Sequence, residues 1–165
     1  MFRFLRSSVK DDVGLLRSQL FNEQTFYPAF IADVKRATAS IIIESPFITY
    51  RRLNCLFPIL EKAIRRGVII TVNTRDPEFH EESMQQQAAN GIAALQGIGI
   101  EVLYTGNHHR KLAIVDYQIL WEGSLNILSQ TDSCEVMRRI ESADLAEQMI
   151  HFTGLSEWYT KGKYE

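Results

Sequence analysis

The 165-residue chain has only two cysteines, Cys55 and Cys134. Two cannot form a disulfide scaffold, and both read as free thiols. No apolar stretch approaches the roughly 20 residues that a membrane-spanning helix needs. Residues 1–10 are too charged, and their apolar run is too short, for a secretory signal. The expected location is cytoplasmic, with no membrane partner. An excess of charge of either sign is also missing: 18 Lys and Arg face 20 Asp and Glu, for a net charge of −2. Global charge therefore does not advertise a polyanionic partner. Only pairs of cations occur: Arg51-Arg52, Arg65-Arg66, Arg110-Lys111 and Arg138-Arg139. Histidine is scarce as well, at four residues: His80, His108, His109 and His151. Adjacent His108 and His109 would point to opposite faces of a strand, and neither an H-x-H nor a paired-cysteine spacing accompanies them. No metal site is expected.

Apolar content of 45% and charged content of 23% are those of a globular domain with a proper core. One domain over 1–165 is expected, with its core at about 25–155. Ser40 to Glu44 and Val68 to Val72 read as buried strands, and Ile100 to Tyr104 as a third. Lys111 to Val115 and Tyr117 to Trp121 read as a strand pair, and Val136 to Ile140 closes the sheet. Helical spacing marks Ala29 to Ala37, Leu53 to Arg66 (ended by Gly67), Glu81 to Gln96 and Ala143 to Glu157. Asp12 to Leu20 is weakly helical. This order implies a mixed sheet with helices on both faces, an α/β architecture.

The chemistry concentrates between His109 and Asn126. Written as a pattern, the stretch is H-x-K-x4-D-x6-G-S-x-N, filled by His109, Lys111, Asp116, Gly123, Ser124 and Asn126. On an extended chain His109 and Lys111 share a face, whereas Asp116 falls on the other. His109 and Lys111 are therefore expected to line a site, and Asp116 to fix the strand's end or its connection. Ser124 is placed to N-cap a short helix holding Asn126, Ile127 and Leu128. Such a helix start would aim Ser124 and Asn126 at an anion held by Lys111. Ser45, Thr49, Arg51 and Arg52 follow the carboxyl end of the first core strand, where open α/β sheets tend to bind ligands. They are candidate substrate contacts. His108 is expected in a loop at the mouth of the site, and His80 and His151 at surface or packing positions.

The pattern resembles the HKD signature of the phospholipase D superfamily. Ile41 to Thr49, Trp121 to Ser129 and Glu135 to Arg139 are similar to HKD domains attached to DNA helicases and related restriction or repair proteins. The resemblance spans roughly residues 25 to 155 and implies the superfamily's α-β-α sandwich. It also implies a metal-independent phosphodiesterase with no cofactor. In the superfamily one motif histidine forms a phosphohistidine, a second protonates the leaving group, and the motif's Asp is a structural support. An acidic residue after the motif orients the histidine; that role falls to Glu135, with Asp132 as the fallback. This chain has one motif, and none of its other histidines is followed two residues later by lysine. The resemblance therefore implies a homodimer, in which a two-fold axis sets the same patch of each subunit against itself.

The leading expectation is a nuclease acting on nucleic acid, DNA rather than RNA, with a helicase or other DNA-processing protein as a further partner. The second is a phospholipase or phosphatidyl transferase of the same chemistry. Against it stands the lack of a basic amphipathic helix. The third is a non-catalytic nucleic-acid-binding module; the presence of both His109 and Lys111 argues against that.

Overall fold

The computed structural model describes residues 17–156. In chain order they form β1 (Ser18–Asn22), α1 (Phe26–Arg36), β2 (Ser40–Glu44), α2 (Tyr50–Arg65) and β3 (Ile69–Thr74). A 3-10 turn (Pro77–Phe79), α3 (Glu82–Gly97), β4 (Glu101–Tyr104) and β5 (Leu112–Val115) follow. The last elements are β6 (Ile119–Gly123), β7 (Val136–Glu141) and α4 (Ala143–Thr153). The strands make one mixed sheet in the order β1-β7-β6-β5-β2-β3-β4. β2, β3 and β4 run parallel, and the remaining pairings are antiparallel. The carboxyl ends of β2, β3, β4 and β6 and the amino ends of β5 and β7 therefore share one rim of the sheet.

Burial explains the sequence of β2. Ile41, Ile42 and Ile43 are all fully buried because the strand is central and both its faces are covered. Ile41 and Ile43 join the cluster packed under α1, α2 and α3, with Phe26, Phe30 and Leu56. Ile42 points the other way, into a smaller cluster with Ile114, Leu120, Ala146 and Ile150 under α4. Each such side chain contributes about 1.5–3 kcal/mol by leaving water. α4 is bounded by chemistry at both ends. Ser142 caps its first turn by accepting from the Leu145 N–H, and Gly154, at φ +73°, closes it in the left-handed region where a side chain is strained. Among the described residues no helix is long and apolar enough to cross a membrane.

Three expectations change. The weak helix expected over Asp12 to Leu20 is a strand where it is described: Ser18 to Asn22 pairs antiparallel with β7. Residues 12–16 lie outside the described residues. Phe21 packs on Trp121 at 4.9 Å between ring centroids, so tertiary contact overrides a weak local preference. β1, not β7, is consequently the edge strand on that side. The short helix expected after Ser124 is a turn, in which the Asn126 carbonyl accepts from the N–H groups of Ser129 and Gln130. The terminal helix expected over Ala143 to Glu157 is interrupted at Gly154 after Thr153, and Glu157 lies outside the described residues.

Candidate active site

The site lies on the rim just described. Asp116 sits at the opposite end of β5 and holds that strand in place. Its Oδ1 accepts from the N–H groups of Ala39 (2.8 Å) and Ser40 (3.0 Å), and its Oδ2 from the Thr38 N–H (2.9 Å) and hydroxyl (3.2 Å). Burial opposes its charge, but these donors outweigh that effect and hold its carboxyl below the usual range. Asp116 and Tyr117 both have positive φ, so the hairpin between β5 and β6 turns tightly there. The carboxylate thereby ties the β5–β6 turn to the start of β2, the neighbouring strand.

At the other end of β5 the ladder begins at Leu112, and His109, Arg110 and Lys111 precede it. His109 is exposed and Lys111 half-buried. The Lys111 ammonium donates to the His109 carbonyl at 2.7 Å, which brings the cation beside the histidine. The Gly123 N–H donates to the Lys111 carbonyl at 3.3 Å and links this segment to the end of β6. Gly123 pairs with Met137, and the approach is close. A Cβ there would collide with the Val136 carbonyl and stand 2.8 Å from Met137 Sδ and 2.9 Å from Met137 Cα. Gly123→Ala is expected to lose about 3 kcal/mol, at the upper end for overpacking because backbone must move. Chemical denaturation checks this, and an unchanged midpoint would count against the contact.

Ser124 follows Gly123 and bridges to Glu135. Its hydroxyl donates to the Glu135 carboxylate and accepts from the Val136 N–H at 3.1 Å. The Ser133 hydroxyl donates to the other Glu135 oxygen at 2.7 Å. In the single subunit the Glu135 carboxylate is thus taken up by two serine hydroxyls and not by the His109 ring. Asp132 accepts from Thr131 and is exposed. The buried Asn126 Oδ1 has no hydrogen-bond partner in the subunit.

Of the residues expected to meet substrate beyond β2, two are committed inside the protein. Ser45 is fully buried; its hydroxyl donates to the Phe47 carbonyl and accepts from the Leu128 N–H, both at 3.1 Å. Arg52 donates two hydrogen bonds to the Gln130 carbonyl and lies over the Tyr27 ring at 3.7 Å. Both pin the segment after Asn126 to the rest of the rim. Thr49 precedes α2, with its N–H on the Leu128 carbonyl and its buried hydroxyl unpartnered. Arg51 is exposed.

His108 is not at the mouth of the site. It is 2% exposed, with neither ring nitrogen hydrogen-bonded. His80 is also buried, against Phe47, whereas His151 is exposed near Glu147. Burial pushes the His108 imidazole below the usual histidine range; Glu44 opposes this, and Arg110, Lys111 and His109 add to it. Burial and Arg75 lower His80 likewise, against Asp76. Both groups bind protons less readily in the folded than in the unfolded chain. Stability is therefore present above the unfolded value of about 6.5 and declines as pH falls below it. His108→Phe is expected to flatten that decline between about pH 6.5 and 5. Melting temperatures measured across the range check it, and an unaltered slope would exclude His108 as its source.

The alternation of the motif gave His109 and Lys111, but it missed a network behind them. Glu44, fully buried at the end of β2, forms a two-pronged ion pair with Arg110: Nε to Oε2 at 2.6 Å and Nη2 to Oε1 at 2.7 Å. Asn73 donates to Glu44 at 2.8 Å, and Thr105 donates to Asn73 at 3.0 Å. One signal in the sequence pointed there: a carboxylate ending the apolar run Ile41-Ile42-Ile43.

A family model described as "Cardiolipin synthase, PLD-like domain" matches residues 30–154. Among solved structures, the chain is similar to a phospholipase D family member, Nuc from Salmonella typhimurium. The TM-score is 0.67 at 19% identity, covering 82% of this chain and 90% of that one. It is similar to NucT from Helicobacter pylori as well, with TM-score 0.67, 18% identity and coverage of 82% and 91%. TrmBL2, an archaeal chromatin protein, follows with TM-score 0.59, 14% identity and coverage of 88% and 53%. At these identities the structural likeness is one of fold. No curated protein sequence matches the chain. A mixed seven-stranded sheet with His109, Lys111 and Ser124 of the motif on its rim, matched by the family model over most of the chain, places this protein in the phospholipase D superfamily as a PLD-like domain.

Proposed function

We propose that the protein is a metal-independent nuclease whose working site is shared by two copies of the chain. The observation that carries the reading is an exposed His109 whose backbone carbonyl holds the Lys111 ammonium, on a rim that supplies only one such histidine among the described residues. A ring nitrogen of His109 attacks phosphorus, and the P–O bond to the leaving group breaks. The leaving oxygen takes a proton from a second copy's His109. Water, losing a proton to that second ring, then displaces the first from phosphorus, which releases a phosphate monoester and restores both histidines. Lys111 stabilises the charge on the non-bridging oxygens; Asn126 stands on the same rim to add its amide donors, and Ser124 would add its hydroxyl only by giving up the bond to Glu135.

One observation favours a lipid instead. A groove of about 440 Å³ beside Lys111 and Gly123 is walled by Leu20, Val136, Met149 and Phe152. An acyl chain would fit such walls. The test is hydrolysis in EDTA of single- and double-stranded DNA, RNA and a phosphatidylcholine vesicle. Cleavage of DNA with no release of lipid headgroup is expected. Headgroup release alone would replace the nuclease reading with the lipid one, and activity that EDTA abolishes would remove the metal-independent mechanism.

A further inference from the structure

We infer that Glu44, acting through Arg110, is the positioning residue that fixes where the His109 ring stands; this rests on the phosphodiesterase reading above. The β5 ladder stops at Leu112, so His109 and Arg110 lie outside it. A histidine in irregular chain needs another restraint if its ring is to meet phosphorus in one geometry. Along this segment side chains alternate. His108 is buried and Arg110 turns to the Glu44 carboxylate, while His109 is exposed and the Lys111 ammonium lies on the His109 carbonyl. Two inward anchors thus alternate with two working groups.

The anchor is specific. Glu44 and Leu112 are cross-strand partners, and Glu44 and Asn73 are partners on the next strand. Side chains of one such row leave the sheet on the same face. The Glu44 carboxylate therefore stands beside the point where β5 begins, two residues from Arg110. The planar fork of two parallel N–H···O bonds sets orientation as well as distance. Glu44 is itself held by Asn73, and Asn73 by Thr105. Thr105 and Arg110 bracket the loop that carries His109, so both ends of that loop are tied to one carboxylate.

The experiment compares Glu44→Gln, Arg110→Lys and the double replacement Glu44→Met/Arg110→Met with the wild-type chain. Three quantities are read: melting temperature, kcat and KM on bis(p-nitrophenyl) phosphate in EDTA, and the NMR resonances of the His109 ring. Replacing a buried ion pair by apolar side chains is often neutral for stability. The double variant is expected to fold but to melt somewhat below the wild type, because the Asn73 amide loses its acceptor, and to lose about 10- to 100-fold in kcat, since a displacement of about 1 Å carries a penalty of that size. KM is expected to change by less than about threefold, because Lys111 is untouched. Arg110→Lys, which keeps a charge but not the fork, is expected to fall between. A double variant that folds and keeps wild-type kcat would overturn the inference, whatever its melting temperature. Should the double variant unfold, Arg110→Lys with unchanged kcat would overturn it equally. If the wild-type chain hydrolyses no diester, the phosphodiesterase reading fails and the ring resonances decide. Shifted or broadened His109 signals in Glu44→Gln support positioning, and unmoved signals end it.

Discussion

His109→Ala is expected to lower turnover on a phosphodiester by about 10³-fold or more, because it removes the attacking ring and, across a shared site, the proton donor too. The fold should survive. His109 is exposed, and among the described residues its ring makes no hydrogen bond and its carbonyl, kept by alanine, is the only acceptor for Lys111. Turnover alone does not separate a site built by two subunits from one complete in each. Mixing does. When wild-type and variant chains are co-refolded in equal amounts, random pairing makes about a quarter of the dimers fully wild-type. A site needing both rings then retains about a quarter of the activity, whereas a site complete in each subunit retains about half. Activity linear in the wild-type fraction would sink the shared site and leave a different group as the leaving-group acid.

The parts of the molecule legible in the sequence are those governed by short-range pattern. β2 is an uninterrupted triplet of isoleucines because both its faces are covered, and α2 shows its buried stripe of Leu53, Leu56, Leu60 and Ala63 at helical spacing. The motif was legible for another reason: its chemistry requires particular residue types at offsets that the β5–β6 hairpin fixes. The parts that were not legible depend on partners far away in sequence. β1 exists as a strand because β7 offers it a ladder and Trp121 offers Phe21 a ring, neither of which is local. Ser124 looked like a helix cap because a serine before an apolar run usually is one. The structure gives its hydroxyl to Glu135 and Val136, eleven and twelve residues on. Ser45 and Arg52 looked available to substrate because loop polarity suggests solvent, yet both are consumed by the segment that follows Asn126. His108 reads as polar in sequence and is buried in the fold, beside the work of its neighbour.

The largest stability loss is expected at Asp33, a residue whose sequence context marks only an ordinary helix. Asp33 is 1% exposed on the inner face of α1 and is ringed by donors. Its Oδ2 accepts from the Trp121 indole N–H at 2.9 Å and from Arg139 Nε at 2.8 Å. Its Oδ1 accepts from Arg139 Nη2 at 3.1 Å and Arg36 Nη2 at 2.8 Å. Trp121 and Arg139 are cross-strand partners on β6 and β7, so one carboxylate joins a helix to two strands two residues short of Gly123. The hydrogen bonds that Arg139 donates to Asp33 are the main cause that raises Arg139 above its ordinary value. Asp33→Ala would leave Arg139, itself only 16% exposed, charged under the helix with only the exposed Glu141 carboxylate at 3.3 Å to offset it, and a buried indole N–H facing a cavity. Removing one partner of a buried pair typically loses about 3–5 kcal/mol, against which the largely exposed Arg36 contributes little. The melting temperature is expected to fall on the order of 10 °C. Asp33→Asn keeps an acceptor for the indole but gives up the charge, and should fall between alanine and wild type. Trp121→Phe, which removes a single neutral donor and retains a ring, should lose less than either. If Asp33→Ala melted with the wild type, the carboxylate would not be what holds α1 to β6 and β7, and the rim that presents Ser124 would owe its order to the aromatic packing of Phe26, Phe30 and Trp121 instead.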